Sequence, residues 1–329
     1  MVTVDEIQIQ RIVADGDLDG LLSAAILKRV WEGAEVRFSH PAEIRRSDLD
    51  DYIDRHTAVV DLPFHPKCGL HIDHHLTNKP TKSQLVEAEE KGCKIIWDSA
   101  LSAARVCFDT FNHIVDLSDI EQWMEMVDKL DGGKISTDEF LSDHPIVWIG
   151  RIMNASDHDL CALLLSRITD GTSPEDLVNS EDIFEKVDVA KEEFSRLQSM
   201  IDTCSEVLDR MAIVRLDGRG VRTNGYLVTA HFGNLCDACI IIHGDEDPSE
   251  KQWPLSASFY TNSFLHKNGG LFDLTKLATA FDIDGGGHAN ACGCRIQALS
   301  ESGVNEVRDV DLIDVERNIE AWMHTWKNR

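Results

Sequence analysis

The chain has 329 residues, of which 43% are hydrophobic and 27% charged, and its 58 acidic and 32 basic residues give a formal net charge of −26. This length suits two domains, and the composition is that of an ordinary globular protein with no apolar run near the roughly 18 residues of a membrane span. The acidic excess argues against a long nucleic acid as partner, because proteins that bind one usually present a basic surface.

The first third of the chain alternates strand-like and helix-like segments. Strands are predicted at residues 7–13, 36–39, 57–62, 69–72 and 94–96. A helix is predicted in GLLSAAILKRVWEG, after the first strand, and another follows the fifth strand with Ser99 near its N-cap. Such alternation is typical of a mostly parallel sheet with helices on both faces.

The rest of the chain changes character twice. Residues 118–193 are predicted to be almost entirely helical, and residues 182–209 read as one long helix that connects two domains. Strand-like runs follow (MAIVRL, GYLVTAHF, ACIIIHG and PLSASFYT), then a helix at 273–280, a glycine-rich turn GGGH and a strand-like CGCRI. We therefore expect an α/β domain at 1–185, a linker helix at 186–211 and a smaller α+β domain at 212–329.

Acidic residues stand where three predicted strands of the first domain end. These are Asp15, Asp17 and Asp19 in ADGDLDG, Asp61 in VVDLP, and Asp73, followed by His74 and His75, in HIDHH. The carboxyl ends of parallel strands share one edge of a sheet, and several carboxylates there repel one another unless a cation compensates them. Mixed carboxylate and imidazole ligands suit Mn²⁺ and, less well, Mg²⁺.

Other interpretations of these patterns are weaker. Taken alone, HIDHH could be a histidine-rich surface turn. DGDLDG resembles the start of a calcium loop, but position 12 of that loop would be Ile26 where a glutamate is required. The nine cysteines are expected to be reduced thiols rather than zinc ligands. The seven tryptophans lack interleaved basic residues and are expected to serve packing rather than base stacking.

The motifs, in this order, resemble those of the DHH phosphoesterases, over nearly the whole chain. DGDLDGLLSAAIL resembles the first motif, Asp61 the second, Asp73-His74-His75 the third, and Asp128 in MVDKLDGG the fourth, with Asp131 as the alternative. GGGHANACG resembles the glycine-rich substrate loop of the DHH-associated C-terminal domain. Among family members, the exopolyphosphatase-related and RecJ-like two-domain phosphohydrolases are the most similar.

The resemblance implies two divalent metal ions, most simply Mn²⁺ with Mg²⁺ as the alternative, and a site that activates water. The implied metal ligands are Asp15, Asp17, Asp19, Asp61, His74 and Asp128, with Asp61 bridging. The implied catalytic residues are Asp73, His75 and His288. The implied substrate-binding residues are His75, Gly285, Gly286, Gly287, His288 and Arg295. A homodimer is expected from the resemblance only.

Two departures from the family pattern bear on these assignments. Val13 stands where many members have a histidine before the paired aspartates, so Asp15 is expected to substitute. Tyr260 stands near the position of an arginine that many relatives carry, and Asn262, Lys267 or Arg295 could compensate.

The function predicted from these motifs is metal-dependent hydrolysis of phosphoanhydride or phosphodiester bonds in small phosphate compounds. These include short polyphosphate, cyclic nucleotides, cyclic or linear dinucleotides and short oligonucleotides. The alternatives are a RecJ-type single-strand exonuclease, an enzyme similar to family II pyrophosphatase, and a regulatory module without turnover. The sequence also leads us to expect a cytoplasmic protein with no membrane partner.

Overall fold

The computed structural model describes residues 8–245 and 254–329. The chain divides into two compact units: the first runs to Ile135 and continues over Ser142–Ala190, and the second comprises Ser136–Leu141 and Lys191–Arg329. Ile7, where the first strand was expected to begin, lies outside the described residues. Within those residues, no helix is both long and apolar enough to cross a bilayer.

The first unit is built on a five-stranded parallel sheet. Its strands are β1 (Arg11–Asp15), β2 (Glu35–Ser39), β3 (Thr57–Val60), β4 (Leu70–Asp73) and β5 (Lys94–Trp97). They lie in the order β2-β1-β3-β4-β5, and every neighbouring pair is parallel. The central three strands are largely apolar and buried, as expected for a sheet covered on both faces. The predicted α/β architecture is therefore confirmed.

The first ten α-helices in the described part of the chain alternate with these strands or follow them. In chain order they are α1 (Leu18–Val30), α2 (Pro41–Arg45), α3 (Lys82–Glu90), α4 (Ala103–Phe111), α5 (Glu121–Asp131), α6 (Thr137–Leu141), α7 (Pro145–Ile152), α8 (His158–Thr169), α9 (Pro174–Val178) and α10 (Glu181–Thr203). All belong to the first unit except α6, which is part of the second, and α10, which crosses the boundary.

Two of these helices, α1 and α4, begin at N-cap side chains that hold their first turns. Asp17 caps α1, since its side chain accepts a hydrogen bond from the Gly20 N–H. The cap of α4 is Ser102, whose hydroxyl accepts from the Arg105 N–H, and not Ser99 as the sequence suggested. Ser102 is fully buried, and buried polar groups are nearly always hydrogen-bonded, as its hydroxyl is to the Arg105 N–H.

The second unit contains a mixed six-stranded sheet. Its strands are β6 (Ser205–Leu208), β7 (Met211–Arg215), β8 (Ala238–His243), β9 (Ser256–Thr261), β10 (Gly286–His288) and β11 (Ala291–Arg295). Their order is β10-β11-β9-β8-β7-β6, and all pairs are antiparallel except β7 with β8. Besides α6 and the second half of α10, its described helices are α11 (Gly225–Phe232), α12 (Thr275–Ala278) and α13 (Leu312–Lys327). The predicted α+β character is confirmed.

Three sequence-based assignments in this part were wrong. The long helix predicted to Asp209 ends at Thr203, and the chain then turns back as β6 and β7 through Asp209 and Arg210, both at positive φ. GYLVTAHF is the helix α11 rather than a strand, because Asn224 accepts from the N–H groups of its first turn. In GGGH, Gly286–His288 form the edge strand β10, and only Gly285 belongs to the turn before it.

Candidate metal centre

The acidic residues of the first unit meet at the carboxyl edge of the three central strands. Asp15 ends β1, Asp61 follows β3 directly, and Asp73 ends β4. Asp17 and Asp19 lie at the start of α1, which leaves the same edge. The order β1-β3-β4 makes these strands neighbours, so the convergence follows from the topology that the sequence predicted.

Three overlapping groups of side chains on this edge have ligand atoms within 4.8 Å of one another. They are Asp61, Asp73, His74 and His75; Asp19, His74 and Asp131; and Asp15, Asp17 and Asp61. Asp61 and His74 each belong to two groups. The Nε2 atom of His74 lies 3.7 Å from Asp19 Oδ2, 3.7 Å from Asp61 Oδ1 and 3.1 Å from Asp131 Oδ2.

Two buried atoms in the centre of these groups have no hydrogen-bond partner in the part of the chain that the structure describes. They are Asp61 Oδ1 and His74 Nε2. The Nδ1 atom of His74 lies 3.3 Å from the carbonyl oxygen of Ala100. A carbonyl can only accept, so Nδ1 carries the proton and Nε2 presents a lone pair to the site. Buried polar atoms are rarely left without a partner, and here a cation would supply it.

The backbone at Asp61 is also unusual. Its φ is 58°, in the left-handed region that residues other than glycine seldom occupy. Its N–H donates to the carbonyl of Ile72 on the neighbouring strand, which holds this conformation in place. Strained residues of this kind cluster at functional sites because the surrounding structure must fix them.

Burial and, after it, mutual repulsion raise the pKa values of the carboxyl groups in this cluster. Burial, followed by repulsion from Asp17, raises the pKa of Asp15 to about 6 and that of Asp131 to about 7. Burial and then the charge of Asp131 raise the pKa of Asp19 well above its ordinary value, and burial and then Asp19 do the same for Asp61. Such a cluster binds protons when no cation neutralises it, so it fits a divalent ion by charge as well as by geometry.

Asp73 and His75, both members of the first group, also form a hydrogen-bonded pair with each other. Burial alone would raise the pKa of Asp73, but hydrogen bonds from the His75 ring, the His75 N–H and Asn78 outweigh it and lower that pKa. Asp73 Oδ1 lies 2.9 Å from His75 Nδ1, and this hydrogen bond raises the pKa of His75. The bond fixes the ring and leaves Nε2 as the atom that can meet a substrate.

The fourth-motif residue is where the structure departs most clearly from the sequence-based assignment. Asp128 does not join the groups above: its carboxylate accepts from Ser102 Oγ at 2.7 Å and from Arg105 Nη2 at 2.7 Å. Asp131, the alternative, lies beside His74. Both aspartates are on α5, with Asp128 three residues before Asp131, the last residue of the helix. The local sequence offers no signal that separates them, since the choice depends on Arg105 of α4.

The residues predicted to bind substrate in the second unit lie on the β10–β11 hairpin and the turn before it. Gly287 has a φ of 137°, and a Cβ there would stand 2.7 Å from the carbonyl oxygen of Ala291, so only glycine fits. His288 is exposed at the end of β10. Gly286 pairs with Gly293 across the hairpin, and Gly285 precedes β10 in a tight turn, where its N–H donates to the Asp282 carbonyl.

Arg295 is not available in the way that the sequence suggested. Its guanidinium bonds Asp282 Oδ1 at 2.7 Å and Asp284 Oδ2 at 2.6 Å. The first contact, together with other hydrogen bonds from Arg295, lowers the pKa of Asp282 to about 2. The pair therefore ties the turn before β10 to β11, and the charge of Arg295 is already neutralised.

No protein-family model and no curated protein matches the chain. Among solved structures it is similar to a pGpG-specific phosphodiesterase, PggH from Vibrio cholerae, with a TM-score of 0.74 and 21% identity over 96% of this chain and 98% of that one. The DHH domain of a member of the s1p family of ribosomal proteins gives a TM-score of 0.53 and 12% identity, over 97% and 87% of the two chains. Exonuclease RecJ bound to manganese gives a TM-score of 0.50 and 12% identity, over 99% and 92%. At such identities the likeness establishes the fold, and it confirms the expected two-domain DHH-type architecture.

Proposed function

We propose that this chain is a metal-dependent phosphodiesterase that hydrolyses a small nucleotide, with a short linear dinucleotide as the substrate class. The observation that carries the proposal is the convergence of Asp19, Asp61, His74 and Asp131 around two buried, unpartnered ligand atoms. A purely structural role does not account for so many mutually repelling carboxylates, because each of them disfavours the charged form of the others.

The donor set divides into two metal sites that share one residue. Asp15, Asp17 and Asp61 would hold one ion, and Asp19, Asp61, His74 and Asp131 the other. When bound, two divalent ions lower the pKa of a water molecule and stabilise the charge that develops on the phosphoryl group. Oxygen-rich ligands with one imidazole suit Mn²⁺ best, and Mg²⁺ is the alternative.

The chain's own side chains have separate roles in this proposal. His75, oriented by Asp73, presents Nε2 to the phosphate or to the departing oxygen, and its raised pKa favours the protonated, hydrogen-bond-donating form. Asp73 is a positioning residue, because its carboxylate bonds backbone and side-chain groups of the motif rather than facing outward. In the second unit, we propose that His288 and the N–H groups of Gly286 and Gly287 bind the substrate, while Gly285, whose N–H donates to the Asp282 carbonyl, shapes the turn before them.

Two considerations favour a small nucleotide over a polymer. The structurally similar PggH is a pGpG-specific phosphodiesterase, and it matches this chain over nearly its full length. The formal net charge of −26 opposes the approach of a long polyanion, whereas a dinucleotide carries few charges. The alternative, single-strand exonuclease activity, is favoured only by the weaker similarity to RecJ.

A product-release assay with Mn²⁺ distinguishes these functions. The substrates are pGpG, a cyclic dinucleotide, tripolyphosphate, pyrophosphate and single-stranded DNA, and Asp61→Asn serves as the matched inactive variant. We expect the native chain to release mononucleotide from pGpG, and the Asp61→Asn variant to release none. Faster turnover of single-stranded DNA than of pGpG would favour the exonuclease, and phosphate release from pyrophosphate or tripolyphosphate alone would replace the phosphodiesterase with a phosphoanhydride hydrolase.

A further inference from the structure

A tryptophan and a lysine lie together beside the metal edge of the first unit, that is, the carboxyl edge of its sheet where the candidate metal ligands meet. Trp97 ends β5 and is in register with Asp73 at the end of β4. Its indole N–H donates to the carbonyl oxygen of His75 at 3.0 Å. The Nζ atom of Lys79 lies 4.7 Å from the centroid of the same indole ring. The pair is thus attached directly to the histidine that we assign to the substrate phosphate.

Trp97 differs from the tryptophans that serve packing. Trp123, Trp322 and Trp326 are each 1% exposed and lie inside the two units, whereas Trp97 is only partly buried on the outer strand of its sheet. Its one polar atom is already satisfied by His75, so the exposed part of the side chain offers a π-face and no hydrogen-bond donor. The sequence analysis expected every tryptophan to serve packing because no basic residues are interleaved with them, and the contact between Lys79 and Trp97 is visible only in the structure.

Lys79 is an exposed cation beside an acidic site, yet it is not used to neutralise that site. In the part of the chain that the structure describes, its ammonium group has the indole as a partner and no carboxylate. Its neighbour Asn78 donates to Asp73 Oδ2 at 2.7 Å, which ties this turn to the DHH motif. A lysine held there by a weak cation–π contact can exchange it for a phosphate oxygen.

We propose that Trp97 and Lys79 form a nucleotide subsite beside His75, in which the indole stacks on a purine base and the ammonium binds that nucleotide's phosphate. This inference rests on the proposed function, which it deepens by assigning base recognition to the first unit. Stacking tolerates any base but favours the larger purines, and it adds affinity without adding charge to an already acidic edge.

The test measures equilibrium binding of 5′-GMP and of ribose 5-phosphate, by calorimetry, to the full chain with Mn²⁺ and again in EDTA. Neither ligand has a scissile phosphodiester bond. Trp97→Ala should weaken 5′-GMP binding by roughly 5- to 150-fold, the range that loss of one base stack produces, and leave ribose 5-phosphate unchanged. Trp97→Phe should retain most of the affinity. Lys79→Gln should weaken the binding of both ligands. Lys82 is an exposed lysine on α3, and Lys82→Gln should leave the binding of both ligands unchanged.

Unchanged 5′-GMP affinity in Trp97→Ala would overturn the proposal, as would equal losses for the two ligands. If Trp97→Ala does not fold, Trp97→Leu keeps an apolar side chain without a π-face and should show the same selective loss. A chain that hydrolyses pGpG but binds 5′-GMP independently of Trp97 would refute the subsite alone. A chain that cleaves no phosphodiester but loses 5′-GMP binding with Trp97 would refute the proposed function alone.

Discussion

The Nε2 atom of His74 lies 3.1 Å from the Oδ2 atom of Asp131, on a helix that is distant from His74 in sequence. Asp128, one turn earlier on α5, is bound instead by Ser102 and Arg105. Asp131→Asn should therefore reduce Mn²⁺ affinity at least a hundredfold, since loss of a ligand should cost more than the roughly 10–100-fold typical of groups that only support ligands. Calorimetric titration with Mn²⁺ measures this directly.

Asp128→Asn is the matched control for that prediction. It removes a charged partner of Arg105, and should lower the free energy of unfolding by about 1–3 kcal/mol while leaving Mn²⁺ affinity within a few-fold of the native value. If Asp128→Asn lost the metal and Asp131→Asn did not, the assignment made from the geometry would be reversed.

Substituting the shared ligand should separate metal binding from folding. Asp61→Asn keeps the shape of the side chain, and asparagine tolerates the positive φ of 58° at this position. We expect turnover of any substrate to fall below detection and the Mn²⁺-dependent rise in melting temperature to disappear, while the metal-free melting temperature stays the same or rises. Asp61→Ala should be less stable than Asp61→Asn, because alanine adopts positive φ less readily. Retained turnover in Asp61→Asn would remove the bridging role.

Metal binding should release protons, and its affinity should rise with pH. The pKa of Asp15 is raised to about 6 and that of Asp131 to about 7, so these groups are partly protonated near neutrality and must ionise to bind a cation. Calorimetry in buffers of different ionisation enthalpy should show about one proton or more released per chain at about pH 6.5. Proton release that is zero throughout roughly pH 6–8 would contradict the crowded-carboxylate description.

The same shifts fix the sign of the metal-free pH dependence. An acid whose pKa is higher in the folded than in the unfolded protein stabilises the fold below its unfolded pKa, and that contribution is lost as pH rises through the folded value. The free energy of unfolding of the metal-free protein should therefore fall as pH rises from about 4 to about 7. This window runs from the ordinary aspartate pKa of 3.8 to the raised pKa values of Asp15 and Asp131. Chemical unfolding in EDTA at about pH 5 and about pH 7.5 tests this, and excess Mn²⁺ should abolish the difference.

The sequence predicted the metal edge because its logic is topological. Strands that alternate with helices form a parallel sheet, and the residues after neighbouring strands must then meet at one edge, as Asp15, Asp61 and Asp73 do. The choice between Asp128 and Asp131 could not be made in this way. The choice depends on which of the two carboxylates binds Arg105 of α4, and the sequence around α5 does not show this tertiary contact.

The failures in the second unit have a similar origin. GYLVTAHF is rich in residues that favour strands, but the Asn224 cap and the packing of Leu227 and Val228 against the sheet make it a helix. For Arg295, predicted to bind substrate, the sequence did not reveal that Asp282 and Asp284 contact its guanidinium, and its role in substrate binding stays a prediction.

The pairing of Asp73 with His75 predicts a pKa change that can be observed without turnover. Asp73→Asn removes the hydrogen-bonding carboxylate that raises the pKa of His75, so that pKa should fall. Nuclear magnetic resonance titration of the metal-free protein, with histidine side chains labelled, measures it. An unchanged His75 titration would show that Asp73 does not orient this ring.

The glycine-rich hairpin should affect substrate affinity and leave metal binding intact. His288→Ala removes an exposed side chain at the end of β10 and should raise KM without changing the Mn²⁺ titration or the melting temperature. Gly287→Ala should raise KM further than His288→Ala does, because the φ of 137° at Gly287 and the close carbonyl of Ala291 leave no room for a Cβ. An unchanged KM in both variants would exclude the hairpin from substrate binding.

Anomalous diffraction from crystals grown with Mn²⁺ tests most directly whether the carboxyl edge of the first sheet holds two divalent ions. We predict two peaks there, both in contact with Asp61, one also in contact with Asp15 or Asp17 and the other with His74 and Asp131. A map with no peak at this edge, or with manganese bound only elsewhere on the chain, would contradict the account.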